Sequence, residues 1–286
     1  MAVCVRRGLG GETVGISGRF RVGALTAVFL MAGCGGIPGP DTGRMTVSYG
    51  DATSADAIEG RALMKNAHLL EDLAADVNDS LKLGSDIALV GEQCGSANAF
   101  WNSAERRVKI CYELADLNLR LFEEDPDHER AHPGPHDTDP AQAALNATVG
   151  TFFHELGHAV IALYDLPITG REEDVADQLA AFAILEPYDL LKQFPNAAGV
   201  AGDYALMFKL WAGNRSEVSR TDFAAAHSLN ETRMFNLKCW IYGSDPVAHA
   251  DMVEDGRLPE DRAAGCPEEF QRLSRAWDTL LAPHLK

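Results

Sequence analysis

The stretch Phe152-Phe153-His154-Glu155-Leu156-Gly157-His158-Ala159 sets two histidines four residues apart, with a glutamate directly after the first. Positions i and i+4 share one face of a helix. Two imidazoles on consecutive turns can therefore grip one ion, and Glu155 can reach a water on that ion. This demands a helix, and the flanks provide one. Asp139 suits an N-cap and Pro140 the first helical position, the apolar run continues to about Tyr164, and Pro167 follows. The spacing predicts a long helix over 140–164 with a metal grip in its second half.

A catalytic zinc usually takes three protein ligands and leaves a fourth position to water. Fourteen residues separate His158 from Glu173, inside Gly170-Arg171-Glu172-Glu173-Asp174-Val175-Ala176-Asp177. Glu173 and Asp177 are again i and i+4, on an expected second helix over 171–185. One carboxylate can ligate, and the other can accept from the free N–H of a ligating histidine. Glu172 and Asp174 are expected to point elsewhere on that helix. Gly157, Ala176, Ala180 and Ala183 are small enough for the two helices to pack closely.

The N-terminus reads as a targeting segment. Arg6, Arg7, Arg19 and Arg21 precede the apolar run from Val22 to Met31, which ends in Met31-Ala32-Gly33-Cys34. About ten apolar residues are too few to span a bilayer. The pattern resembles a bacterial lipoprotein signal. That resemblance implies removal of residues 1–33, a lipid on Cys34 and a protein anchored in the bacterial cell envelope. Gly35 after the cysteine points to the outer membrane where the host has one. Residues 34–57, rich in Gly, Pro, Ser, Thr and Asp, are expected to form a flexible tether, and 58–286 the folded domain.

With Cys4 removed and Cys34 lipidated, Cys94, Cys111, Cys239 and Cys266 remain, in a compartment that permits disulfides. Three pairings are possible, and local order favours Cys94–Cys111 with Cys239–Cys266. The net charge of −17 argues against nucleic acid and anionic surfaces as partners.

Along the chain, one helix is expected over 57–83, stopped by Gly84. A strand follows over 86–93. Asn98 to Trp101 and Arg107 to Tyr112 read as a hairpin around a polar turn. A short helix over 114–122 precedes a loop to Asp139 carrying His128, His132 and His136, expected to be a solvated surface loop. Beyond the two metal-site helices, 188–213 reads as helical, Ser228-Leu229-Asn230-Glu231 as a capping box opening a helix to Gly243, and Pro267 as the start of a last helix. The fold class is α+β, mostly helical, with one small sheet.

Asn98-Ala99-Phe100-Trp101, His154 through His158, and Glu173 through Asp177 together resemble the gluzincins, the thermolysin-like zinc peptidases. From about Ala57 to Lys286 the chain is also similar to a bacterial family of metallopeptidases of unknown function. That family shares the Gly170–Asp177 block and a later block, here His227-Ser228-Leu229, Arg233, Asn236 and Cys239-Trp240-Ile241-Tyr242-Gly243. The resemblance implies a zincin-like fold, with an edge-strand sheet and the histidine helix packed on a second ligand helix. It implies one zinc per chain on His154, His158 and Glu173, with Asp177 behind, and Glu155 as general base. It implies a peptide or protein substrate paired to the edge strand at Asn98 and Ala99. It offers His227, Arg233 and Tyr242 as the donor that meets the oxyanion. Asp222, five residues before His227, is the expected partner of that imidazole. The fourteen-residue spacer differs from that of thermolysin, so the loop between the ligand helices differs too. A non-catalytic zinc-binding lipoprotein, or a zinc hydrolase of a non-peptide amide, would share the ligands. Glu155 argues against the first, since a structural site needs no base. The edge strand, which reads backbone amides, argues against the second.

Overall fold

The computed structural model describes residues 41–125, 139–186, 192–194, 196–213 and 218–286, all within the unit Ile37–Lys286. The signal, Cys34 and the loop carrying His128, His132 and His136 lie outside the described residues.

The first strand, β1 (Met45–Tyr49), runs through the stretch expected to be a tether. It pairs in parallel with β2 (Ile87–Glu92), and Thr42 and Gly43 already donate to the Leu83 carbonyl. The correction has a simple cause. Met45, Val47 and Tyr49 alternate with polar residues, and a period of two with one face buried makes a strand even in a polar neighbourhood. Met45 is buried. Packed chain thus begins by Asp41, not at 58.

The helix expected over 57–83 is two helices, α1 (Ala55–Asn66) and α2 (Leu69–Ser80). They are parted at His68, whose φ of 54° is left-handed. α1 buries Ala57, Gly60 and Met64, while α2 buries Leu69, Leu70, Leu73 and Val77. A straight helix could not bring both stripes onto the same core.

The hairpin forms as expected from β3 (Ala99–Asn102) and β4 (Arg107–Cys111), paired antiparallel. The strand order is β1-β2-β4-β3, with β2 and β4 parallel, so β3 is an edge. Next come α3 (Tyr112–Glu124) and the long α4 (Pro140–Tyr164), where the Asp139 side chain accepts from the Gln142 N–H at 2.9 Å. The remaining helices are α5 (Glu172–Leu185), α6 (Ala197–Ala212), α7 (Arg220–Ala224), α8 (Asn230–Ser244), α9 (Asp251–Glu254), α10 (Glu260–Ala263) and α11 (Cys266–Leu281). Among the described residues no helix is long and apolar enough to cross a membrane.

The capping box does not form where the sequence suggested. Ser219 and Asp222 close one at the start of α7, whereas Leu229 leads into α8 with no side-chain cap. The reason is competition: the Ser228 hydroxyl donates to Asp174 on α5 instead.

α4 is the axis of the domain. It packs on α3, α5, α6 and β3, and buries seventeen of its residues. Its approach to α5 depends on Gly157, where an added Cβ would stand 2.9 Å from the Ala176 Cα. Gly157→Ala should therefore cost about 1–3 kcal/mol through overpacking. A denaturant midpoint equal to the parent's would show that the helices have slack there.

Two disulfides join Cys94 to Cys111 and Cys239 to Cys266, with Cα atoms 5.5 and 5.1 Å apart. The first closes the base of the loop that leads into β3. Glu113 braces the same loop, accepting from the Cys94 and Gly95 N–H groups at 3.0 and 2.6 Å.

Candidate metal centre

Helix α4 presents His154 and His158 side by side, with Nε2 atoms 3.3 Å apart. The first turn of α5 brings Glu173 Oε2 to 3.2 Å from His154 Nε2 and 3.3 Å from His158 Nε2. The three atoms make a nearly equilateral triangle. A tetrahedral zinc with bonds of about 2.0–2.1 Å needs its ligand atoms about 3.3–3.4 Å apart. Two imidazole nitrogens and one carboxylate oxygen are also a donor set suited to zinc, so the residues fit the ion.

Behind each imidazole stands a carboxylate. His154 Nδ1 lies 2.8 Å from Asp177 Oδ1, and His158 Nδ1 lies 2.9 Å from Glu172 Oε1. An Nδ1–H held this way leaves the Nε2 lone pair free for a metal. Asp177 takes the expected place. Glu172 does not point elsewhere: as the first residue of α5 it has no preceding turn beside it and swings back to His158. Asp174 likewise is engaged, by Ser228.

Arg233 is a correction. The resemblance implies that it binds substrate as a donor to the oxyanion, and it borders the cleft, but its Nε and Nη2 donors turn inward. Nε donates to Asp177 Oδ2 at 2.7 Å and Nη2 to Oδ1 at 2.6 Å, and the guanidinium lies 4.1 Å from the Phe208 ring centroid. Tyr204 adds a weaker bond to Asp177 at 3.4 Å. Its contribution had no sequence signal beyond a single polar ring in an apolar helix.

These contacts set the charges. Burial pushes the Asp177 carboxyl up, but Arg233 and then His154 outweigh it and hold it down at about 2. Burial pulls His154 down, yet Asp177 and Glu173 lift it to about 9. Glu173 is held far below the usual carboxylate range by His154, His158 and His227. Glu155 is raised, chiefly by burial, against the pull of the two histidines and the Trp101 backbone.

A consequence for metal uptake follows. In the metal-free protein His154 titrates above its ordinary value of about 6.5. The protonated form adds stability below that value, and the contribution is lost as pH rises through about 9. Zinc competes with that proton. Glu173 and Glu172 raise His158 as well against the pull of burial, so zinc binding at pH 7 should release at least one proton per chain, and apparent affinity should climb as pH rises toward 9. Calorimetry in buffers of different ionisation enthalpy measures the release; none would contradict the assignment.

The edge strand stands over this centre. The Cys111 N–H donates to the Asn98 carbonyl at 3.1 Å, so the antiparallel register turns Asn98, Phe100 and Asn102 toward β4. Ala99 and Trp101 then direct their backbone groups to the free edge. Asn98 Oδ1 accepts from the Ala99 N–H at 2.9 Å. Asn98, Ala99, Trp101, Glu155 and the three ligand residues line one cleft of about 730 Å³. Leu114, Met207, Phe208 and Trp211 form an apolar wall of the same cleft.

His227 reaches the centre, with Nε2 2.8 Å from Glu173 Oε2 and its ring stacked on His154 at 5.9 Å. The expected partner, Asp222, is engaged by Ser219, whose hydroxyl donates to it at 2.7 Å. Tyr242 is not among the described residues that line the cleft.

The fold and the centre define a class: a mostly helical α+β protein with a candidate metal site on the helix that carries His154 and His158. Comparison of sequences gives the family. The model of a family described as "Putative metallopeptidase" matches residues 49–281, and the chain belongs to that family. No curated protein and no solved structure matches it.

Proposed function

We propose that this chain is a zinc-dependent peptidase. One observation carries the reading: an equilateral triangle of ligand atoms lies beneath a free strand edge, with Glu155 between them. An extended peptide can add to such an edge through its backbone: the register of β3 directs the backbone groups of Ala99 and Trp101 to it, where the Ala99 N–H now rests on Asn98 Oδ1 and the Trp101 N–H on Glu155, so a peptide would pair with the carbonyls or displace these contacts. A bound zinc would polarise the scissile carbonyl and lower the pKa of its water to about 7. Glu155 takes a proton from the attacking water and returns it to the leaving amine. Burial supports that role, since it lifts the carboxyl toward the range where it can both accept and donate. His227 approaches from the open side and can donate to the developing oxyanion. The apolar wall, Leu114, Met207, Phe208 and Trp211, offers a surface for a substrate side chain.

We further propose, from the lipoprotein-like signal that ends at Cys34, that the domain is held at the bacterial cell envelope by a lipid on that cysteine. Mass spectrometry of the mature protein should find a lipidated N-terminus at Cys34; residues 1–33 still attached would contradict it. The peptidase reading is tested by a diverse peptide mixture incubated with zinc-loaded and chelated protein and read by mass spectrometry. Cleavage confined to the zinc-loaded sample is expected. Intact peptides in both samples would overturn it.

A further inference from the structure

The segment from Ala225 to Ser228 reaches the cleft with no regular structure of its own, since α7 ends at Ala224 and α8 begins at Asn230. It carries His227, whose side chain is 52% exposed while Nε2 lies 2.8 Å from Glu173 Oε2. An exposed imidazole on an irregular segment keeps its place only if the backbone beside it is tied. The ties come from the helix that carries Glu173. Ser228 Oγ donates to Asp174 Oδ1 at 2.7 Å. Arg171 donates to the Ala225 carbonyl and, through Nη1, to Ser228 Oγ at 3.4 Å. Residues 171, 173 and 174 thus hold residues 225, 227 and 228. Neither Arg171 nor Ser228 supplies a ligand atom to the metal triangle. Sequence spacing offered Asp222 for this task, and Asp222 is taken up by the capping box of α7.

We propose that Arg171, Asp174 and Ser228 are positioning residues that fix His227 at the mouth of the cleft, a proposal that rests on the peptidase reading above. Asp174 and Ser228, which do not line the cleft, act on the reaction through His227. The experiment is a double-mutant cycle on the zinc-loaded protein, joined to amide hydrogen exchange. Ser228→Ala should lower kcat about tenfold with KM within about twofold, because the imidazole matters to the reacting carbonyl more than to the resting substrate. Placed on His227→Ala, Ser228→Ala should change kcat by less than about twofold. Ser228→Thr, which keeps the hydroxyl, should stay near the parent. Amides of residues 226–229 should exchange faster in Ser228→Ala, with zinc content unchanged. An equal loss of kcat on both backgrounds would overturn the proposal, as would a Thr variant as slow as the Ala variant or an unchanged exchange rate. A parent that cleaves no peptide would remove the reading beneath, while the exchange rates still decide whether the clamp exists.

Discussion

Glu155→Gln should bind one zinc per chain as the parent does and hydrolyse peptides about a thousandfold more slowly. Glu155 contributes none of the three ligand atoms, yet it is buried in the same cleft beside both histidines. Glutamine keeps its size and its ability to accept from the Trp101 backbone, but it cannot take a proton. His158→Ala should behave differently. It leaves two donors where the ion needs three, and it strips Glu172 of its partner. Zinc and hydrolysis should then disappear together. Metal content by mass spectrometry and peptide turnover separate the two cases. Parental turnover in Glu155→Gln would show that another group carries the proton.

Arg233→Met should destabilise the fold by about 3–5 kcal/mol, the cost of leaving one member of a buried ion pair without its partner. Asp177 is 4% exposed, and both of its oxygens accept from Arg233. Without the guanidinium a carboxylate stays buried with only His154 and Tyr204 beside it. Zinc affinity should fall as well, since a protonated or displaced Asp177 no longer fixes the His154 tautomer. The pH dependence has a definite sign. Asp177 in the folded protein titrates at about 2, below its unfolded value of about 3.9. Its contribution is present above pH 4 and is lost as pH falls from 4 toward 2. In Arg233→Met the acid loss should begin at higher pH. Adding Asp177→Leu should recover part of the stability but not the zinc affinity. Denaturant unfolding across pH 2–7 measures both effects, and a loss under about 1 kcal/mol would show that the pair is not what holds α8 to α5.

The metal helix was legible because its signals are local. Asp139, Pro140 and the histidine spacing each act within a turn or two, and helix α4 runs from Pro140 to Tyr164 as they imply. The hairpin was legible for the same reason, and the cysteines pair in their order along the chain; the choice of Glu173 over Asp177 came from the resemblance to the gluzincins, and the structure brings Glu173 to both histidines as a group able to hold a metal. What escaped depends on contacts far apart in the chain. Ser228 reads as a cap from its neighbours, yet Asp174, fifty-four positions away, takes its hydroxyl. Arg233 reads as a free cation until Asp177 is placed against it. Glu172 looked idle because helix-face reasoning presumes a preceding turn, which the first residue of a helix lacks. The strand at Met45 was masked by composition: Gly, Pro and Asp around it outweighed a five-residue alternation whose partner, β2, lies about forty residues on.

A zinc ion on His154, His158 and Glu173 is proposed to cut peptide bonds. The most direct test of this adds zinc stepwise to metal-free protein while following cleavage of one peptide taken from the mixture experiment. The rate should rise linearly and level off at one zinc per chain. Cleavage in the absence of metal, or none at any zinc ratio, would contradict the account.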